Sequence, residues 1–318
     1  MSGSDGSSFS RRSLIKSGVY AGVGIAVARA GLALAQDRKL AQITKAIPST
    51  NEKLPVIGIG TNQFGVSDPA EVAARRDVLA KLPELGGTVV DTAQAYGTSE
   101  AVIGEQVAAI GNRSKLFLAT KTPLAGDVSN AKATLEKSFT QLRTDRIDLL
   151  QIHNVYGIDT LLPLYLEYKK AGKIRYIGVT TSVDAQYPAL VEAMKKHPFD
   201  FVQVDYSIEN RSAEQEVLPL AASKGMGVLI NVPLGGRRGS LLSKVSGKPL
   251  PAIAADIDVT SWAQFLLKYV VSHPAVTAAI PGTTKVSHLE DNQKAGWGRL
   301  PDADQRRKME EAWASVAT

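Results

Sequence analysis

The run "RIDLLQIH" (146–153) sets aliphatic residues between a charged start and a terminal histidine. It is one of a set: "PVIGIGT" (55–61), "TVVDTA" (88–93), "LFLATK" (116–121), "IRYIGVTT" (174–181), "DFVQVDYS" (200–207), "MGVLINVP" (226–233) and "VTAAIPGT" (276–283). Near-continuous hydrophobicity, rather than alternation, marks strands covered on both faces. Between them lie segments of helical period. In "AEVAARRDVLAKLPELG" Val72, Val78, Leu79, Leu82 and Leu85 share one broad face, and "AKATLEKSFTQL" does the same through Leu135, Phe139 and Leu142. Gly86, Gly172 and Gly225 stand where helices stop at a C-cap. Eight strands, each followed by a helix, predict an α/β fold, the (β/α)8 TIM barrel, as a single domain. The rival, an open doubly wound sheet, lacks a G-x-G-x-x-G after the first strand.

Strand spacing is about thirty residues except before the last strand, where "GGRRGSLLSKVSGKPLPAIAADIDV" (235–259) intervenes. A loop that long inside a compact domain is usually functional, and one that follows a strand belongs to the active face of a barrel. The tail "DADQRRKMEEAWASV" (302–316) reads as a capped helix packing on the barrel, with Asp302 or Asp304 at its start.

Composition removes several kinds of chemistry. There is no cysteine, so disulfides, thiolate metal sites, iron–sulfur clusters and a Cys nucleophile are all excluded. The four histidines, 153, 197, 273 and 288, are scattered without metal-ligand spacing, and no metal site is expected.

The N-terminus carries a different signal. Arg11, Arg12 and Lys16 precede a stretch, Ser17 to Ala35, whose only charge is Arg29 and which ends in "ALA" (33–35). That stretch is too short and too rich in Gly and Ala for a spanning helix, which needs roughly 20 strongly apolar residues. "SRRSLIK" resembles the twin-arginine signal, S/T-R-R-x-F-L-K, with Leu14 where Phe is usual. The expectation is a signal peptide over 1–35, cleaved after Ala35. The protein would then be exported to the periplasm by the twin-arginine translocation machinery, with no stable membrane association afterwards. A basic, disordered N-terminus or a retained anchor is the alternative. The mature barrel, 36–318, keeps 33 basic and 30 acidic residues, a net charge of +3 against +6 for the whole chain. So small a balance makes no case for nucleic acid or an anionic membrane. No signal for association appears, and a monomer is expected.

In a barrel, the C-terminal ends of the strands converge on one site. They carry Asp91, Tyr96 in the next loop, Lys121 and His153. Each has a bland reading alone: a turn cap, a solvated strand end, a structural histidine. Four polar, titratable residues at the same end of three consecutive strands are harder to dismiss.

The blocks "DTAQAYGTSEAVIGEQV" (91–107), "ATK" (119–121), "DRIDLLQIHN" (145–154), "GKIRYIGVTTS" (172–182) and "IPGTTKVSHLEDN" (280–292) resemble the aldo-keto reductase superfamily in order and spacing. The resemblance spans nearly all of 50–295. It implies a (β/α)8 barrel that reduces aldehydes or ketones with NADPH, NADH being possible, and without metal or flavin. Tyr96 would be the general acid, its phenol favoured toward phenolate by the Lys121 ammonium, which Asp91 holds in place. His153 would orient the carbonyl oxygen.

The cofactor positions implied are Gly60, Thr61, Thr180, Thr181, Gln203, Asn231, Leu234, Gly235, Arg237, Thr283, Lys285, His288, Asp291 and Asn292. Gln203 matches the residue that binds the nicotinamide carboxamide. Thr180 and Thr181 replace a Ser-Asn pair, and Asn231 replaces an aromatic that stacks on the ring. Leu234, Gly235, Arg237 and Arg238 open the loop that folds over the pyrophosphate. At the 2′-phosphate, Gly282 and His288 stand where basic residues are usual, and Lys285 offers a substitute charge. Asn62, Phe64 and Tyr156 are the substrate-pocket candidates. Two rivals stay open: a barrel lyase or aldolase using Lys121 as a Schiff base, and a nicotinamide-binding, redox-sensing protein with little turnover.

Overall fold

The computed structural model describes residues 40–122, 128–236 and 239–317. The signal peptide over 1–35, the cleavage after Ala35, and Arg237 with Arg238 lie outside the described residues. The barrel unit runs from Gln42 to Thr318.

It begins with an antiparallel hairpin, β1 (Thr44–Ala46) and β2 (Lys53–Pro55). The barrel strands follow: β3 (Ile59–Gly60), β4 (Val89–Asp91), β5 (Phe117–Lys121), β6 (Ile147–His153), β7 (Ile174–Thr180), β8 (Phe201–Asp205) and β9 (Gly227–Asn231). The long segment after β9 holds a second small hairpin, β10 (Gly235–Gly236) and β11 (Gly239–Ser240), before the last barrel strand, β12 (Ala278–Ala279). All barrel neighbours pair in parallel, in chain order. Bridges from Ile57 to Ala279 and from Gly60 to Gly282 bring the last strand against the first. The fold is the (β/α)8 barrel the sequence predicts.

The observed strands are all shorter than the runs, and the first and last fall furthest short. The run 55–61 divides, because Leu54 and Pro55 pair back onto β1 and only Ile59–Gly60 joins the barrel ladder. The eighth, read as 276–283, keeps two strand residues plus single bridges.

Outside the sheet run α1 (Pro69–Glu84), α2 (Ser99–Ile110), α3 (Ala131–Gln141), α4 (Ile158–Lys170), α5 (Tyr187–Lys196) and α6 (Val217–Ser223). The long segment contributes the short α7 (Leu241–Lys244) and α8 (Ile253–Asp256), and α9 (Trp262–Ser272), α10 (Val286–Lys294) and α11 (Ala303–Val316) complete the chain. Asp302 caps α11 in a capping box with Gln305, and Met309 and Trp313 are buried, which gives the capped, packed helix expected of the tail.

Period two sorts the strand residues. Val89, Phe117, Ala119, Leu149, Tyr176, Phe201 and Leu229 point inward and form an apolar layer, closed from below by Ile47 and Leu54 of the first hairpin. Val90, Leu118, Leu150 and Ile177 point outward against the helices. The same alternation carries Asp91, Lys121, His153, Thr180, Gln203 and Asn231 onto the inner wall above that layer.

Helix α2 approaches the end of α3 at Gly104. A Cβ there would sit 2.1 Å from the Gln141 carbonyl oxygen and 2.5 Å from the Leu142 carbonyl carbon. Backbone cannot step aside as a side chain can. Gly104→Ala is therefore expected to cost about 1–3 kcal/mol, the range for overpacking, visible as a lowered thermal midpoint with unchanged far-UV circular dichroism.

Candidate active site

A cavity of about 890 Å³ opens at the C-terminal end of the barrel, lined among others by Asp91, Tyr96, Lys121 and His153. Asp91 ends β4 and Lys121 ends β5, and both side chains are almost wholly buried. The Lys121 ammonium donates to Asp91 Oδ2 and, at 2.8 Å, to the Thr92 carbonyl. The second carboxylate oxygen of Asp91 accepts from Gln203 Nε2 at 2.9 Å and Gln151 Nε2 at 3.3 Å. Lys121 Nζ lies 5.2 Å from the centre of the Tyr96 ring. Burial alone would push the lysine pKa down. The Asp91 charge and the Tyr96 phenol, by Coulomb attraction and hydrogen bonding, outweigh it and hold Lys121 above its usual 10.5. The ammonium is thus a fixed cation beneath a phenol.

His153 ends β6 on the same wall, paired across to Thr180 of β7. Burial, and then the Lys121 charge, bring its pKa down to about 3, so its imidazole is neutral at physiological pH. Its Nδ1 is buried without a partner. In the unfolded chain His153 binds a proton below about 6.5, the ordinary value, while the folded protein refuses it down to about 3. Its contribution to stability is complete above pH 6.5 and is lost as the pH falls toward 3. The His153 ring resonances are accordingly expected to stay at neutral-imidazole shifts from pH 8 to pH 5, and a midpoint near 6 would contradict this.

The cavity continues along the long segment after β9. Thr180 donates to Gln203 Oε1 at 3.0 Å, which leaves the Gln203 amide bridged between Thr180 and Asp91. Gly60, Thr61, Asn62, Asn231, Leu234, Gly235 and Gly282 also line it. Gly235 has φ +84, and a Cβ there would meet the Gly239 carbonyl oxygen at 2.1 Å, so only glycine makes this turn. Asn231 Oδ1 is buried with no partner.

Other expected positions are not on the cavity wall. Thr181 is buried, with its hydroxyl held by Gln186 and by the Val183 amide. Thr283 and Lys285 make a local turn, and Asn292 is buried. Asp291 accepts from Ser261 at 2.7 Å and Gln264 at 2.6 Å, both at the start of α9. Lys285 and His288 are exposed.

Two substrate candidates need correction. Phe64 is fully buried in the outer core, because a turn at Thr61 (Phe64 N to Thr61 O, 2.9 Å) rotates it away from the cavity. Tyr156 is 41% exposed and off the cavity wall. Asn154 and Val155 before it both have positive φ, 53 and 59, and that reversal swings the loop outward. Asn154 lines the cavity instead, as do Gln63, Asp184 and Asp205. Asp205 was legible: it lies two residues beyond Gln203 on one strand and so shares its face.

The aldo/keto reductase family model matches residues 56–313. This chain belongs to the aldo/keto reductase family. Among curated relatives, the methylglyoxal reductase YeaE of Escherichia coli is 31% identical, covering 77% of this chain and 86% of its own. Protein tas of Escherichia coli is 27% identical, covering 77% and 90%. An aldo/keto reductase from Klebsiella pneumoniae, solved with NADP and acetate, superposes with a TM-score of 0.69 at 23% identity, over 86% of this chain and 96% of that one. As an aldo/keto reductase, the protein is an oxidoreductase built on a barrel whose polar inner wall faces one cavity.

Proposed function

We propose that this aldo/keto reductase reduces aldehydes or ketones to alcohols with NADPH, or with NADH, using Tyr96 as general acid. The observation that carries the reading is Lys121, buried at 2% exposure, bound to Asp91 and 5.2 Å from the Tyr96 ring centre. Reduction of a carbonyl leaves negative charge on its oxygen, and that oxygen needs a proton. Tyr96 supplies it, and the adjacent ammonium stabilises the phenolate left behind. The neutral imidazole of His153 offers a hydrogen bond that aims the carbonyl oxygen at the phenol without competing as an acid.

The residues of the cavity suit a nicotinamide dinucleotide. The glycines 60, 235, 236 and 282 leave its wall without side chains where a flat, extended ligand would lie, and the orphaned Asn231 Oδ1 awaits a donor such as a carboxamide. When bound, that group supplies the hydride that reaches the carbonyl carbon. Gln203 and Thr180 would hold the nicotinamide end, while Leu234 and Gly235 open the segment that would lie over the pyrophosphate.

The decisive experiment follows NADPH and NADH oxidation by the purified protein over a panel of aldehydes and ketones. Consumption of NADPH with several carbonyls is the expected result, and failure to bind either nucleotide would overturn the reading. A second reading, a nicotinamide-binding redox sensor with little turnover, draws on Asn231, an amide in the cavity wall at the position where the family resemblance implies a ring that stacks on the cofactor. Tight nucleotide binding without turnover on the panel would favour it.

We further propose export through the twin-arginine route, on the strength of "SRRSLIK" (10–16). That route carries folded proteins, so the reductase would acquire its nucleotide before crossing. Replacing Arg11 and Arg12 together by Lys is expected to leave the protein in the cytoplasmic fraction at full length. An unchanged distribution would count against export by this route.

A further inference from the structure

One buried carboxyl at the upper end of the barrel has no part in the chemistry above. Glu100 begins helix α2 four residues after Tyr96, and it is 1% exposed. Both of its oxygens are engaged. Thr120 donates to Oε1 at 2.6 Å, and Ser138 of α3 donates to Oε2 at 3.2 Å. Thr120 immediately precedes Lys121 on β5 and points to the outer face of the wall whose inner face Lys121 occupies. Ser138 in turn accepts from Gln94 Nε2 at 2.9 Å, and Gln94 lies two residues before Tyr96. The Gln94 amide nitrogen of the main chain also donates to the Lys121 carbonyl at 3.2 Å. A continuous hydrogen-bonded path, buried at Thr120, Glu100 and Ser138 and half-buried at Gln94, therefore joins the strand end that carries Lys121 to the loop that carries Tyr96, from behind the wall.

We propose that Glu100 is a positioning residue for the Lys121–Tyr96 pair, its two oxygens clamping the β5 end and the Tyr96 loop in one geometry. This rests on the reductase reading. Glu100 touches neither the cavity nor any reacting atom, so it acts through what it holds. The charged groups that act on it are Lys121 across the wall and Lys137 of α3. Burial raises its pKa, while the hydroxyls of Thr120 and Ser138 and those two ammonium groups pull the other way. A carboxylate is the only side chain here with acceptors enough for both hydroxyls. An amide of the same shape offers one acceptor oxygen and sets two donor hydrogens against the second hydroxyl. Near-attack geometry is steep in distance, which is why a clamp one shell removed matters to rate.

The test compares wild type, Glu100→Gln and Ser138→Ala for turnover and for amide hydrogen exchange over 92–99 by mass spectrometry. Glu100→Gln is expected to lower kcat about tenfold with KM for the carbonyl within about twofold, and to quicken exchange in that segment while the distal turns of α2 stay protected. Ser138→Ala, a small change that removes both the donor to Glu100 Oε2 and the acceptor for Gln94 while Thr120 still holds Oε1 and the Thr134 carbonyl still holds Gln94, is expected to show the same pattern more weakly, and it decides the matter alone should Glu100→Gln fail to fold. Faster exchange with unchanged kcat would mean a structural role only, and unchanged exchange would mean no clamp; either overturns the proposal. Should the wild type reduce no carbonyl on the panel, the reductase reading falls, while the exchange comparison still settles whether Glu100 holds the loop.

Discussion

Tyr96→Phe is expected to lose about 10²–10⁴-fold in kcat, the range for removing a positioned general acid, while nucleotide affinity stays near that of wild type. The substitution deletes one oxygen. The ring that lies 5.2 Å from Lys121 remains, so the cavity keeps its shape and the ammonium keeps its aromatic neighbour. What disappears is the proton donor and the negative phenolate that the ammonium stabilises. Nucleotide quenching of intrinsic fluorescence reports binding, and single-turnover oxidation of bound NADPH reports chemistry. Wild-type turnover in Tyr96→Phe would mean that some other group protonates the carbonyl oxygen. Loss of binding along with turnover would instead mark the ring as a packing element.

Asp91→Asn is expected to be the most destabilising single change at the site, by about 3–5 kcal/mol, because it removes one partner of a buried ion pair. Lys121 is buried, and Asp91 is its only carboxylate partner at bonding distance among the described residues. The amide repairs little. Asp91 Oδ1 accepts from Gln203 and Gln151, and Oδ2 accepts from Lys121, so an NH₂ group at either place faces a donor. Turnover falls with stability, since Lys121 loses both its anchor and the charge that keeps it protonated. The pH dependence has a definite sign. The folded pKa of Lys121 is raised above 10.5, so the lysine's contribution is complete at neutral pH and is lost as the pH climbs through that raised value. In Asp91→Asn burial acts on Lys121 without that carboxylate and drives it toward its neutral form, so the deficit, read from urea unfolding, is expected to be larger at pH 6 than at pH 8. A deficit below about 1 kcal/mol would show that water reaches the pair and screens it. Replacing the pair with apolar residues of similar volume is expected to recover part of the stability and none of the activity, which separates the two roles.

Much of the site was legible because period two is rigid. Once 146–153 is taken as a buried strand, His153 must share a face with Gln151 and Leu149, and the same rule places Lys121 and Gln203. The rule stops where the strand stops. Phe64 and Tyr156 follow strand ends closely in sequence, but a turn at Thr61 and two positive-φ residues after His153 send them elsewhere. The adenine-side positions show the same limit. Asp291 keeps its place in the chain, but Ser261 and Gln264, about thirty residues away, already occupy both its oxygens.

By itself, then, the sequence determined the barrel, the order of its strands, the strand-end residues on the inner wall and the family to which the chain belongs. These follow from local periodicity and from spacing along the chain. Only the tertiary structure decided which charges those residues carry and what holds them. The neutrality of His153, the persistence of the Lys121 ammonium and the hydrogen-bonded path through Glu100 all depend on desolvation and on partners brought together across strands and helices. Desolvation and Coulomb attraction act through space and are set by the three-dimensional neighbourhood, which sequence spacing does not encode.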